Sequence, residues 1–360
     1  MTRDELVKRS IEIIRENQCH SGAYLASPAF PVYHYSWFRD GAYIAHAMDR
    51  VGRSESAAAF HNWAAKTVVS RRESVERVTK AVAAGAEIDE RDLLHTRYRA
   101  DGSAGEETWE NFQLDGFGTW LWALADHSAR RGAVTDLWTD AADLVARYLT
   151  SLWNRACYDL WEEHPFDVHT YTLASTWAGL RHAESLGITP PPGTLEAIAE
   201  RISEHHTIDA PPATRRFVKS TGSADVDASL LALAAPYALV GPEDARFAAT
   251  IATIKARLMG GGGLHLYPQD SYYGGGAWIL LTAWLSWVES LRGNPAEAQS
   301  ALTWVEAQAT SDGSLPEQVP LALNVPEQFQ PWQRKLGPVA TPLLWSHAMY
   351  LIAVDEASER

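Results

Sequence analysis

Two cysteines, Cys19 and Cys157, are all that the chain of 360 residues contains. That is too few for a disulfide framework or a cysteine-based zinc site, and it fits a reducing cytoplasm. Long apolar runs are missing as well. The greasiest window, 277–288, already holds Thr282 and Ser286, far short of the roughly 20 residues of a membrane span. The start, Met1-Thr2-Arg3-Asp4-Glu5, is charged and lacks the apolar stretch of a secretory leader. Positive charge is scarce: 31 Lys and Arg against 45 Asp and Glu leave a net −14. Without basic runs, nucleic acids and anionic membranes are poor partners. There is no GxxxxGK(S/T), HExxH, GxSxG, DDxxD or paired CxxC, so nucleotide, zinc-protease and serine-hydrolase chemistry fall for want of residues. The Gly260–Gly263 run lacks the GxGxxG spacing and a preceding strand. Isolated histidines such as His182 read as surface or core residues.

Aromatics, by contrast, are abundant, with 15 Trp, 13 Tyr and 9 Phe. They serve either as filler of a large helical core or as flat faces for apolar ligands and sugars. The dominant period is helical. Thr2 and Glu5 form a capping box ahead of the stripe Val7, Ile11 and Ile14. Leu137, Ala141, Leu144, Val145, Tyr148 and Leu152 mark a second stripe, and Trp278, Leu281, Leu285 and Val288 a third. Asn294-Pro295 reads as an N-cap followed by Pro at the first helical position. Two-residue alternation is hardly seen, so the expectation is an all-α protein of about a dozen helices.

Loops rich in Gly, Pro, Trp, Tyr and acidic residues interrupt the helices at about 19–39, 100–114, 154–168, 208–224, 259–272 and 310–339. Their spacing suggests six antiparallel helical hairpins. Closed into a ring, these form an (α/α)6 barrel, a toroid whose long loops gather around a pocket on one face. An open solenoid would want a recurring repeat, and none is visible. With no low-complexity linker, residues 1–360 are expected to form a single (α/α)6 catalytic domain. Trp120, Trp122, Trp284 and Trp287, at helical spacing, are assigned to the core.

The loops pair carboxylates with aromatics. The first ends Tyr33-His34-Tyr35-Ser36-Trp37-Phe38-Arg39-Asp40, and the second holds Trp109-Glu110-Asn111-Phe112-Gln113-Leu114-Asp115-Gly116. The third reads Tyr158-Asp159-Leu160-Trp161-Glu162-Glu163, and the fifth Tyr267-Pro268-Gln269-Asp270-Ser271-Tyr272-Tyr273, leading to Trp278. The sixth holds Pro316-Glu317-Gln318, with Trp345 beyond it. Carboxylates and Arg grip hydroxyls, aromatics cover the C–H face of a sugar ring, and two carboxylates across one bond are what glycoside hydrolysis needs. In this order, from about Ser27 to Ala348, the motifs resemble glycoside hydrolase family 15, the glucoamylase family.

The resemblance implies an (α/α)6 barrel that removes glucose from the non-reducing end of an α-glucoside with inversion, releasing β-glucose. It places the catalytic acid on Glu162, the base on Glu317 and a tyrosine beside the reacting centre on Tyr33. Arg39 and Asp40 match the pair that holds the outer hydroxyls. Trp37, Trp109, Trp161, Tyr272, Trp278 and Trp345 match pocket aromatics. Asp115 is a further sugar contact, Leu160 would offer its carbonyl, and Glu163 would face the leaving sugar. The acid must be held protonated by a raised pKa and the base ionised, with roughly 6.5–9.5 Å between them for a water. No metal or organic cofactor is needed. Other acidic residues are less suited: Glu327 is a rival base, and Glu306 is expected to face solvent from its helix.

Two departures bear on linkage. Where the family carries Arg before Tyr-Pro the chain has Leu266, and a nearby acidic position is Gln269. Losing an Arg fork removes donors that an α-1,4-linked acceptor would use. The short bacterial members that this chain resembles act on isomaltose and small isomaltooligosaccharides, so an α-1,6 preference is expected, with a small α-glucoside as the substrate. Rival readings are a maltose-type enzyme or trehalase of the same family, and a non-catalytic sugar-binding toroid. The toroid would lack one catalytic carboxylate, yet both positions are filled. A terpene cyclase would need Asp-rich metal motifs that are absent.

Overall fold

The computed structural model describes residues 1–105, 108–210 and 214–359. Its helices are α1 (Arg3–Glu16), α2 (Phe38–Arg50), α3 (Ser54–Val69), α4 (Arg72–Ala83), α5 (Asp115–Arg131), α6 (Asp136–Leu152), α7 (Thr170–Ala183), α8 (Thr194–His205), α9 (Ala245–Leu258), α10 (Ile279–Leu291), α11 (Pro295–Ala307), α12 (Phe329–Leu336) and α13 (Leu344–Ser358). A 3₁₀ helix, Ala228–Leu233, lies between α8 and α9.

Packing closes a ring. Helix α2 packs on α5, α5 on α7, α7 on the 3₁₀ helix, that helix on α10, α10 on α13, and α13 back on α2. Outside them, α3 packs on α2, α6 on α5, α8 on α7, α9 on the 3₁₀ helix, α11 on α10 and α1 on α13. This is the (α/α)6 barrel. Residue patterning explains which helix goes where. Helix α10 is buried from Ile279 through Ser290, because a helix that is apolar nearly all round must be covered on every side; α2 is buried from Phe38 through Asp49 as well, with its charged Arg39, Asp40 and Asp49 included. Outer helices bury one stripe, as α8 does with Ile198 and Ile202. At the α5–α7 crossing, a Cβ on Gly118 would meet the Ser175 carbonyl at 2.4 Å. Only glycine permits that approach.

Among the described residues no helix is long and apolar enough to cross a membrane. The capping box of α1 is present: Thr2 accepts from the Glu5 N–H and Glu5 from the Thr2 N–H. Three readings change. Asn294 stands at the N-cap of α11, but its side chain donates to Glu289 Oε2 at 2.6 Å rather than capping. Glu306 does not face solvent freely; it binds Arg3 Nε at 2.5 Å and accepts from the Tyr350 hydroxyl. Short strand pairs, invisible to two-residue alternation because most span only two residues, link the loops. Ser36–Trp37 pairs with Arg97–Tyr98, and Ala277–Trp278 with Gln318–Val319. Part of the loop read as 208–224 is strand: Thr207–Ala210 pairs with Thr214–Phe217.

Candidate active site

A cavity of about 440 Å³ is lined by residues from every expected loop but the fourth. Its floor rests on the barrel core, where Trp345 stacks on Tyr43 at 5.3 Å and Tyr43, Tyr171 and Tyr237 meet around Trp284. Tyr33, Glu162 and Glu317, separated by up to 284 positions in sequence, all line it. So do Trp37, Arg39, Asp40, Trp109, Leu160, Trp161, Glu163, Tyr272, Trp278 and Trp345. Asp115 is the exception and a correction. It is completely buried behind the wall, where its Oδ2 holds Arg39 Nη1 at 3.0 Å. Its position at the first residue of an inner helix points it at the guanidinium, not at the cavity. The rival Glu327 is exposed and lies outside the lining.

Glu162 sits on a tight loop built by Asp159. Asp159 Oδ1 accepts the N–H groups of Trp161 and Glu163, each at 2.9 Å, and its carbonyl accepts that of Glu162. The loop forces Glu162 to φ 69°, the left-handed region, a strain that persists only where surrounding contacts impose it. The Glu162 carboxylate accepts the indole N–H of Trp37 at 2.5 Å, and Arg39 Nη2 lies at 3.8 Å. Glu317 is placed by a strand. Its carbonyl accepts the N–H of Ile279, the first residue of α10, and its own N–H bonds Ala340. Its Oε1 accepts the Tyr33 hydroxyl at 3.0 Å. The Tyr272 hydroxyl lies 3.1 Å from that of Tyr33. Since Tyr33 gives its one proton to Glu317, Tyr272 donates to Tyr33.

Burial lifts both carboxyls. Glu162 is pushed up to about 7, against the pull of Arg39 and Trp37, and Glu317 up to about 8, against the pull of Tyr33. An acid raised alone, with the base left low, is therefore not what the pocket provides. Each carboxyl also feels Asp40, which burial raises to about 6. Burial, with Glu317 beside it, holds the Tyr33 hydroxyl well above the ordinary phenol range, so it stays a donor at neutral pH.

Buried polar atoms without a hydrogen bond collect here, Arg39 Nε and Asp40 Oδ2 facing each other as an ion pair at 3.6 Å. Among the described residues, Arg39 Nε, Asp40 Oδ2, Asp270 Oδ2, Glu317 Oε2 and the indole N–H groups of Trp109, Trp278 and Trp345 make no hydrogen bond. All belong to lining residues. Each such buried group costs about 1–3 kcal/mol unless a ligand meets it. A mixed set of donors and acceptors beside aromatic faces fits a molecule whose hydroxyls do both. No group of three metal-ligating side chains in the cavity converges closely enough to hold an ion, among the described residues.

Sequence reasoning passed over several contributors. Lys219, from the fourth loop, puts its ammonium 3.0 Å from Asp159 and 3.2 Å from Asp227, over the Tyr267 ring at 3.6 Å. Asp227 in turn accepts the Trp161 indole N–H at 3.0 Å. Lys219 thereby ties the acid-bearing loop to the 3₁₀ helix. Tyr267 donates to Glu163. Helix α12 adds Trp332 and Lys335 to the wall, with Trp332 edge-on to Tyr272 at 5.0 Å. A Trp and a Lys three apart on a short helix carry no sequence signal of a pocket. Of the two departures, Leu266 does line the cavity, whereas Gln269 turns away to bind Asp225 at 3.0 Å.

The chain is similar to known proteins over nearly its whole length. Residues 2–304 match glycosyl hydrolases family 15. An isomaltose glucohydrolase of Kribbella flavida is 39% identical, over 98% of this chain and 92% of its own length. A trehalase of Thermoplasma acidophilum is 28% identical over 70% of this chain and 45% of its own. A glycosidase variant solved in complex with glucose superposes with a TM-score of 0.93 at 38% identity, covering 98% of this chain and 96% of that one. A glucoamylase of Saccharomycopsis fibuligera, 15% identical with a TM-score of 0.74 over 99% of this chain and 94% of that one, shares the fold.

Proposed function

The chain belongs to glycosyl hydrolases family 15 and is an α-glucosidase; we propose that it removes the terminal glucose of isomaltose or a small isomaltooligosaccharide, with inversion to β-glucose. The observation that carries this reading is the lining itself: unpartnered donors and acceptors grouped with two buried carboxyls of raised pKa in a cavity of about 440 Å³. Arg39 Nε and Asp40 Oδ2 hold hydroxyls of the terminal ring, and Trp37, Trp109, Trp278 and Trp345 wall it. Trp161, Tyr272 and the Leu160 carbonyl complete that ring's surroundings. Glu162 gives its proton to the glycosidic oxygen as the bond to the anomeric carbon breaks. The free oxygen of Glu317, Oε2, takes a proton from the water that attacks the opposite face. Tyr33, donating to Glu317, favours its ionised form against burial and lies beside the developing positive charge.

Linkage preference rests on Leu266. It presents an apolar wall where the α-1,4 acceptor would want a charged fork, and Glu163, steadied by Tyr267, faces the leaving sugar. The same reading makes residues 1–360 one catalytic domain. It also keeps the enzyme in the cytoplasm, where its two free cysteines stay reduced.

The test is a panel of isomaltose, maltose, trehalose, kojibiose and nigerose, followed by proton NMR of the anomeric signal during the first minutes. Isomaltose is expected to turn over fastest, with β-glucose appearing first. Fastest turnover of trehalose or maltose would overturn the substrate assignment, and initial α-glucose would overturn the mechanism.

A further inference from the structure

Far from any role in the pocket, Asp49 near the end of α2, His61 of α3 and His127 of α5 meet between inner and outer helices. Each offers a ligand atom, and the three atoms lie within 4.8 Å of one another. None of the three lines the cavity. Asp49 keeps 7% of its exposure and the two histidines none.

Their internal bonding is incomplete. Asp49 Oδ2 and His127 Nδ1 are 2.7 Å apart. That leaves Asp49 Oδ1, His127 Nε2 and both ring nitrogens of His61 without a hydrogen-bond partner among the described residues. Buried donors and acceptors are normally satisfied, and four orphans in one cluster of three side chains call for an occupant. The surroundings offer none: His61 is packed by Phe60, Trp138 and the His127 ring, whose centroid is 4.9 Å away. A hydrocarbon occupant would leave every orphan unmet. A cation would meet one atom from each residue. Three atoms spaced by up to 4.8 Å share a point within about 2.8 Å of all of them, so side-chain rotation of under about 1 Å reaches the 2.0–2.2 Å of zinc ligation. Two imidazoles and a carboxylate favour zinc-type divalent ions over calcium or magnesium, which prefer all-oxygen sites.

We propose that Asp49, His61 and His127 form a structural site for a zinc-type divalent cation that pins α2, α3 and α5 together, independent of catalysis. Its assignment does not depend on the glucosidase reading, because the readouts are metal content, spectrum and melting temperature.

Zn²⁺ is the probe. The purified full-length protein is loaded with Zn²⁺, dialysed exhaustively and assayed for metal by mass spectrometry, then melted with and without a chelator. A parallel sample is loaded with Co²⁺ and its visible absorption recorded. The expected result is one Zn²⁺ per chain, a melting temperature that falls on chelation, and a Co²⁺ band of low-coordinate nitrogen and oxygen ligation. His61→Gln and Asp49→Asn are expected to lose the metal and the chelator effect. A wild-type protein that retains no Zn²⁺ and melts identically with chelator overturns the proposal and leaves a hydrogen-bonded cluster around buried water. Equal Zn²⁺ in the wild type and both variants overturns it as well, because the ion then sits elsewhere. If the variants do not fold, wild-type stoichiometry and the Co²⁺ spectrum decide alone.

Discussion

Tyr33→Phe removes one oxygen and leaves the ring, and with it the donor that Glu317 accepts at 3.0 Å. A hydrogen bond to a charged group is worth about 1.5–3 kcal/mol, which raises the Glu317 pKa by about one to two pH units. The consequence depends on the order of the two carboxyls. Burial holds Glu317 at about 8 and Glu162 at about 7. The productive form, with Glu162 protonated and Glu317 ionised, then shares the singly protonated state with the form in which the proton sits on Glu317. Singly protonated enzyme exists between the two values, so kcat/KM should trace a bell with limbs near pH 7 and 8. Raising the Glu317 value shrinks the productive form by a factor of about 10–100, because one pH unit is a tenfold change. The plateau of kcat/KM therefore falls by about that factor, while the alkaline limb moves up by about one to two units and the acid limb stays. The assay is kcat/KM on isomaltose from about pH 5 to 10 for wild type and variant. Tyr272→Phe, which only weakens the next link of the chain, should shift the alkaline limb by less. A drop in plateau with both limbs unmoved would refute the reasoning and leave Tyr33 acting on the water alone.

Other perturbations test the remaining parts. Glu162→Gln and Glu317→Gln should each lower kcat by about 10²–10⁴ or more, with the circular dichroism and melting temperature retained; near wild-type turnover in either would undo that residue's assignment. Leu266→Arg should raise kcat/KM on maltose relative to isomaltose by about tenfold, the value of one charged hydrogen bond, and an unchanged ratio would remove Leu266 from linkage choice. Lys219→Met strands Asp159 and Asp227 as buried, uncompensated charges. It should lower unfolding free energy in denaturant by about 3–5 kcal/mol and lower kcat through the loosened acid loop. A stable, fully active variant would show that the ion-pair network does not position Glu162.

Helical periodicity made the helices legible, and the resemblance to family 15 marked most of the residues that line the cavity. Leu281, Leu285 and Val288 fall on α10 and Trp278 caps its start, because a helix repeats its neighbours every three or four residues. The motif residues at Tyr33, Trp37, Glu162, Tyr272, Trp278 and Glu317 line one cavity, because side chains that touch one ligand keep their spacing within each loop. Three-dimensional packing alone decided the rest. It put Asp115 behind Arg39 and Lys219 between Asp159 and Asp227. It also brought Trp332 of α12 against Tyr272, and His61 beside Asp49 and His127. It lifted both Glu162 and Glu317 as well. Such facts have no local signature. They come from groups far apart along the chain meeting where water is excluded, and both burial and charge act through space rather than through sequence.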